Sequence, residues 1–155
     1  MQRNNFDVSI IYFKAFIMAT ANPYLNFNGN TEEAFNFYRS VFGGEFTTLQ
    51  RFEGTPGCEH IPLNEQKGIM HVALPISSNS ILMGTDVPSV MPQVTTGTNI
   101  SISLNTESEE ESHKLFDGLS AGGKVDMPLE KMFWGALFGM LTDKFGIQWM
   151  VNYDY

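Results

Sequence analysis

The sequence predicts an α+β fold made of two tandem βαβββ modules. Three observations carry that prediction: two amphipathic helical segments with matching spacing, an alternating strand before each, and three strand-like runs after each. The first module spans about residues 22–86. It opens with Tyr24-Leu25-Asn26-Phe27-Asn28, whose period of two is that of a half-buried strand. Asn30 and Glu33 then have the spacing of a capping box, and Ala34, Phe37, Tyr38 and Val41 form an i, i+3, i+4, i+7 stripe ending at Gly43-Gly44. Strand material follows at about 45–52, 69–76 and 81–85, the last two joined by a Ser77-Ser78-Asn79 turn.

Residues 87–98, with Pro88, Pro92, Gly97 and three threonines, read as the linker to a second module at about 99–153. There Ile100 to Leu104 alternates, Ser108 and Glu111 repeat the cap spacing, and Ser112, Leu115, Phe116 and Leu119 occupy the stripe before Gly122-Gly123. Thr106 with Glu109 is a competing cap. Strands are expected at about 124–127, 137–142 and 147–153, with Asp143-Lys144-Phe145-Gly146 turning the last hairpin. Equivalent positions keep one offset through both helices and slip by one at the glycine pairs, which implies one inserted residue. Curved mixed sheets with helices on the outer face would let the modules enclose a shared cavity, the expected ligand site.

At 155 residues, 43% hydrophobic and 13% aromatic, the chain is the size of a single well-packed domain, placed at 18–155. Nine Lys and Arg against 17 Asp and Glu give a net charge of -8, which disfavours nucleic acid and anionic membrane surfaces as partners. Cys58 is the only cysteine, so an intramolecular disulfide is impossible; this suits a cytoplasmic setting. Residues 1–17 carry an apolar run from Val8 to Ile17 that is too short to span a bilayer. Arg3 and Ala19-Thr20-Ala21 loosely mimic a secretion signal, but Asp7 and Lys14 break its charge pattern. Because Met18 directly precedes the repeat, 1–17 is read as an added or misassigned extension, outside the fold argument.

Four stretches in order resemble the PhnB-like branch of the vicinal oxygen chelate, or glyoxalase/bleomycin-resistance, superfamily. They are Pro23 to Asn30 running into Glu32 to Tyr38; Phe42-Gly43-Gly44; Ile69-Met70-His71-Val72; and Trp134-Gly135 through Asp143 to Met150. The likeness covers essentially residues 22–153. It implies paired modules, a homodimer and a pocket inside each curved sheet. Relatives also carry a demethylubiquinone methyltransferase label, which the residues do not support: a nucleotide-type methyl-donor site wants a glycine-rich turn from strand into helix, and both glycine pairs here follow helices.

In metal-dependent members, His, Gln or Glu ligands stand on the first and last strands of the modules. The corresponding strands here offer only Gln148, with Asp86 just beyond one of them, and Met150 stands near the position of a ligand Glu. A thioether among amides suits a hard cation poorly, so no metal or other cofactor is expected. The candidate acid-base group is His71, mid-strand, because an imidazole titrates near neutrality; a histidine satisfied within the sheet is the alternative. Trp134, Arg51, Gln148, Met150 and Phe27 are the candidate pocket residues. Trp134 would offer a stacking wall, and an inward Arg51 would select an anion, although a surface arginine is the safer reading. His60 and Cys58 lie in a Gly- and Pro-containing loop that could cover the pocket, His113 belongs to an acidic solvated face, and Asp143 is read as a turn residue.

The expected function is therefore a glyoxalase-like small-molecule pocket protein of unassigned substrate, binder or metal-independent enzyme. A metal-dependent lyase or dioxygenase is the alternative, ahead of the disfavoured methyltransferase.

Overall fold

The computed structural model describes residues 20–155, so the expected extension at 1–17 lies outside the described residues. Ten elements follow in the order β1 (Tyr24–Phe27), α1 (Thr31–Phe42), β2 (Thr48–Arg51), β3 (Ile69–Ser77), β4 (Ser80–Asp86), β5 (Ile102–Asn105), α2 (Glu109–Ser120), β6 (Lys124–Lys131), β7 (Ala136–Thr142) and β8 (Gln148–Asp154). The fold is α+β, with two βαβββ modules. Each contributes one four-stranded mixed sheet, β1-β4-β3-β2 and β5-β8-β7-β6. Opening strands pair in parallel with closing strands, β1 with β4 and β5 with β8, and every other pairing is antiparallel. Short turns force the antiparallel hairpins, whereas the parallel pairs need the longer route through a helix.

The modules share one core. Ala34, Tyr38 and Val41 of α1 and Leu115, Phe116 and Leu119 of α2 are buried with Val72, Leu74 and Leu82 of the first sheet and Leu141, Trp149 and Val151 of the second. The first stripe is rotated from its expected face: Phe35 is buried and Phe37 only half-buried. Gly84 of β4 explains this, since a Cβ there would stand 2.5 Å from Phe35 Cε2. Gly139 of β7 likewise makes room for the Phe116 ring.

The two helices begin differently. Ser108 caps α2 as expected, its hydroxyl accepting from the Glu111 N–H at 3.1 Å. Thr106 does not compete for that cap; its hydroxyl pairs with Ser112 Oγ instead. Asn30 makes no side-chain cap on α1. Its place is taken by buried Asp86 at the end of β4, whose Oδ1 accepts from the Thr31 N–H (3.0 Å) and hydroxyl (2.6 Å) and whose Oδ2 accepts from the Ile69 N–H (2.7 Å). An ionised carboxylate at a helix start is favoured by both the hydrogen bonds and the helix dipole, and so outcompetes an asparagine amide.

Asp143 does more than turn a hairpin. Its Oδ1 accepts the Phe145 and Ile147 N–H groups at 2.9 and 3.0 Å, and its Oδ2 accepts Tyr38 Oη–H and Trp149 Nε1–H, each at 2.8 Å. The carboxylate is 3% exposed and joins the first module's helix to the second module's last hairpin. Burial, with the negative charge of Asp143, pushes the Tyr38 phenol's ionisation far upward, keeping it a neutral donor.

Candidate functional site

Alternation along the strands gives each sheet a helix-bearing face and an open face. In the first sheet, Leu25, Val72, Leu74 and Leu82 pack toward the core. Their strand neighbours Tyr24, Asn26, His71, Met83 and Thr85 therefore share the open face, with Gln50 paired opposite His71. In the second sheet, Leu141, Trp149 and Val151 are core, leaving Ser103, Phe138, Met140, Met150 and Asn152 on the open side.

Tyr24 and His71 form the most organised feature of either open face. The phenol oxygen lies 3.1 Å from His71 Nδ1, and the rings stack at 5.7 Å with an interplanar angle of 23°. Burial raises the Tyr24 ionisation, opposed by the polar influence of the Thr85 side chain. Among the described residues His71 Nε2 has no hydrogen-bond partner. His71 is half-buried and Tyr24 is 44% exposed, so the pair is reachable from solvent. Period-two alternation could have placed Tyr24 opposite Leu25 and Phe27, but its meeting with His71 depends on the β1-β4-β3 register.

Of the five candidate pocket residues, Phe27 and Gln148 line one cavity, and Trp134, Arg51 and Met150 lie elsewhere. Met150 lies on the second open face, paired with Met140. Trp134 stands in the β6–β7 turn, 55% exposed, edge-on to Phe133 and Phe138. Arg51 faces the other way: it donates to Glu32 of α1 at 2.7 and 3.0 Å and to the Lys67 carbonyl at 2.6 Å, because β2 register puts it on the helix side. An inward, anion-selecting Arg51 is thereby corrected. Phe27 is a core residue, 5% exposed and edge-on to Phe145, since alternation gives it the helix side of β1.

A cavity of about 520 Å³ lies at the module junction between β1, the linker and the β7–β8 turn, and Tyr24, Asn26, Phe27, Phe145 and Gln148 are among its walls. The linker wall is fixed by Asn28, which exchanges two 2.9 Å hydrogen bonds with the Val94 backbone, and by Gln148, which donates to the Gly97 carbonyl at 3.1 Å. The loop holding Cys58 and His60 is anchored: Ile61 is buried, and Glu65 accepts from the Ser89 N–H at 2.8 Å. His113 is exposed on α2.

This duplicated architecture agrees with the comparisons. The family model for the glyoxalase/bleomycin resistance protein/dioxygenase superfamily matches residues 21–151. The chain belongs to that superfamily. Protein YjdN of Escherichia coli K12 is 32% identical over 139 residues, covering 84% of this chain and 92% of that protein. The crystal structure of PA1353 from Pseudomonas aeruginosa is 40% identical with a TM-score of 0.77, covering 88% of this chain and 98% of that one. A Bacillus cereus PhnB protein, whose name also carries a 3-demethylubiquinone-9 3-methyltransferase label, is 29% identical with a TM-score of 0.69, covering 87% and 99%.

Metal-dependent members of the superfamily make the donor set a question of fit. On the open faces of β1, β4, β5 and β8 the polar side chains are hydroxyls and amides accompanied by Met83 and Met150, with one carboxylate, Asp154 at the end of β8, which accepts from the Asn152 amide at 3.2 Å. Asp86 lies on the helix side with both oxygens engaged. Among the described residues no three His, Cys, Asp or Glu side chains come close enough to hold an ion. These donors do not suit a hard divalent cation.

Proposed function

We propose that this superfamily member takes up a small organic molecule against the open face of its first sheet, through organic contacts and without a metal. The supporting observation is the Tyr24–His71 pair: a stacked, hydrogen-bonded imidazole that faces away from the core and keeps one nitrogen free of partners among the described residues. Such a group can orient a ligand, or exchange a proton with one, so the reading covers both a binder and an enzyme. Met140, Met150, Phe138 and Trp134 would supply apolar walls from a second sheet.

A homodimer completes this reading. Leu49, Met127, Phe133 and Trp134 are exposed on the outer strands and the β6–β7 turn, and a second copy covering them would close the open faces into pockets. The reading places the protein in the cytoplasm, in keeping with its one thiol. No helix among the described residues is long and apolar enough to cross a membrane.

The test is elemental analysis of protein carrying no polyhistidine tag, with thermal shifts on adding nickel, zinc, manganese and iron(II), followed by a small-molecule screen. The expected result is no stoichiometric metal, no metal-dependent shift, and hits weakened by His71→Ala and Trp134→Ala. Stoichiometric metal with a large shift would return lyase or dioxygenase chemistry to the lead. Sedimentation velocity tests the dimer, and a monomer at micromolar concentration removes it.

A further inference from the structure

We propose that the cavity at the module junction is a ligand site in its own right, built for an uncharged ring compound bearing a carboxamide or lactam. It is separate from the site on the first sheet: of the open-face residues around His71, only Tyr24 and Asn26 line it.

The ligand class follows from what the walls offer. At about 520 Å³ the cavity is of small-molecule size, within the usual range of roughly 300–1,000 Å³. No Asp, Glu, Lys, Arg or His is among its walls, although the chain as a whole has a net charge of -8. An ion entering there would give up hydration and meet no counter-charge, whereas a neutral polar molecule has less to lose. The walls offer amides instead. The Asn28 and Gln148 side chains are engaged with the linker backbone, and those of Asn26, Asn30 and Asn99 have no hydrogen-bond partner among the described residues.

Backbone amides add to these. β1 is the outer strand of its sheet. The Pro23 and Phe27 carbonyls accept from the Met83 and Val87 N–H groups at 3.0 and 2.7 Å, so alternation turns the N–H and C=O of Tyr24 and Asn26 to the unpaired edge. Side chains from both faces of β1, Leu25 as well as Asn26, line the cavity, as expected where the strand's edge itself forms the wall.

Asn28 already makes the pairing that such a wall supports: its amide accepts from the Val94 N–H and donates to the Val94 carbonyl, each at 2.9 Å. A carboxamide or lactam repeats that two-way pairing with an edge residue or an unengaged Asn, because it presents a donor and an acceptor side by side. Phe145, half-buried and edge-on to Phe27, gives apolar surface to the ring that carries it. The Asn28 and Gln148 bonds hold the linker wall in place beforehand, which lowers the ordering cost of binding.

The test compares nicotinamide with nicotinate, one ring bearing either a neutral amide or a carboxylate. Each is titrated into ¹⁵N-labelled protein at about pH 7.5, above the ordinary carboxylate range, and followed by amide chemical shifts. Nicotinamide is expected to move the side-chain amide signals of Asn26 and Asn99 and the backbone signals of residues 94–97, with a Kd of about 1 mM, and to bind about tenfold more tightly than nicotinate. Asn26→Ala and Asn99→Ala, both at exposed positions, should each weaken it about fivefold, while His71→Ala leaves it unchanged. The site is overturned if nicotinamide fails to bind by about 10 mM, binds no better than nicotinate, binds both Asn variants as it does the wild type, or shifts signals centred on Gln50 and Met83 instead. Failure of the open-face reading would leave the nicotinamide shifts in place, so the two proposals fall separately.

Discussion

The two modules have the same topology and the same strand pairings, yet they start their helices by opposite means. In the second, Ser108 caps α2 from the adjacent position, so the helix start is encoded where it occurs. In the first, Asp86 caps α1 from 55 residues away, and the carboxylate reaches Thr31 only once β4 has paired with β1. One helix can begin before its sheet exists; the other needs the sheet. The open faces diverge as well. The first carries Tyr24, His71, Gln50 and Thr85, all able to hydrogen-bond, beside Met83, while the second sets Phe138, Met140 and Met150 at its middle with Ser103, Thr142, Gln148, Asn152 and Asp154 around them. The helix-bearing faces fill a common core and are held to similar shapes, whereas side chains on the open faces answer to no such packing constraint.

Replacing the residue that joins the modules should do the most damage. Asp143→Ala leaves Tyr38 Oη, Trp149 Nε1 and two backbone N–H groups without their acceptor in a buried site, at a cost of about 3–5 kcal/mol in urea denaturation. A loss under about 1 kcal/mol would mean that the shared core alone holds the modules together.

Next come the caps, which measure the contrast directly. Asp86→Ala removes three accepted hydrogen bonds and should cost about 2–3 kcal/mol, against about 1 kcal/mol for Ser108→Ala. Equal losses would erase the distinction between a tertiary and a local cap.

The smallest effect belongs to Glu32, held below the ordinary carboxylate range by the hydrogen bond from Arg51, against a smaller opposing effect of burial and with that arginine's charge adding to it. Its folded value is depressed, so its contribution is present above the unfolded carboxylate range, about pH 4.5, and is lost as pH falls through the lower folded value. The pair is half-exposed, which limits it to about 0.5 kcal/mol. Stability curves of wild type and Glu32→Gln should converge on acidification; a gap that widens would contradict this sign.

The repeat was legible because a stripe at i, i+3, i+4, i+7 and an alternation of two are consequences of local geometry. Both helices and the two opening strands follow from those patterns, and the other six strands from apolar runs bounded by turn residues, within a few residues at their ends. The Asn30 cap was not, since its spacing is correct and only a competitor from β4 displaces it. Phe37 and Phe35 were equally apolar, and the choice between them lay with a glycine on another strand. Arg51 could have faced either way until register paired its strand with β3 and brought Glu32 within reach.

By itself, then, the sequence determined the duplicated βαβββ order, the amphipathic faces of both helices, the acidic surface and the scarcity of hard metal donors on the edge and closing strands. Only the tertiary structure decided that Tyr24 meets His71, that Asp143 joins the modules and that Phe27 and Arg51 turn from the open face. The reason is physical. Periodicity is written in neighbours along the chain, while a hydrogen bond between strands depends on register, which no single strand carries.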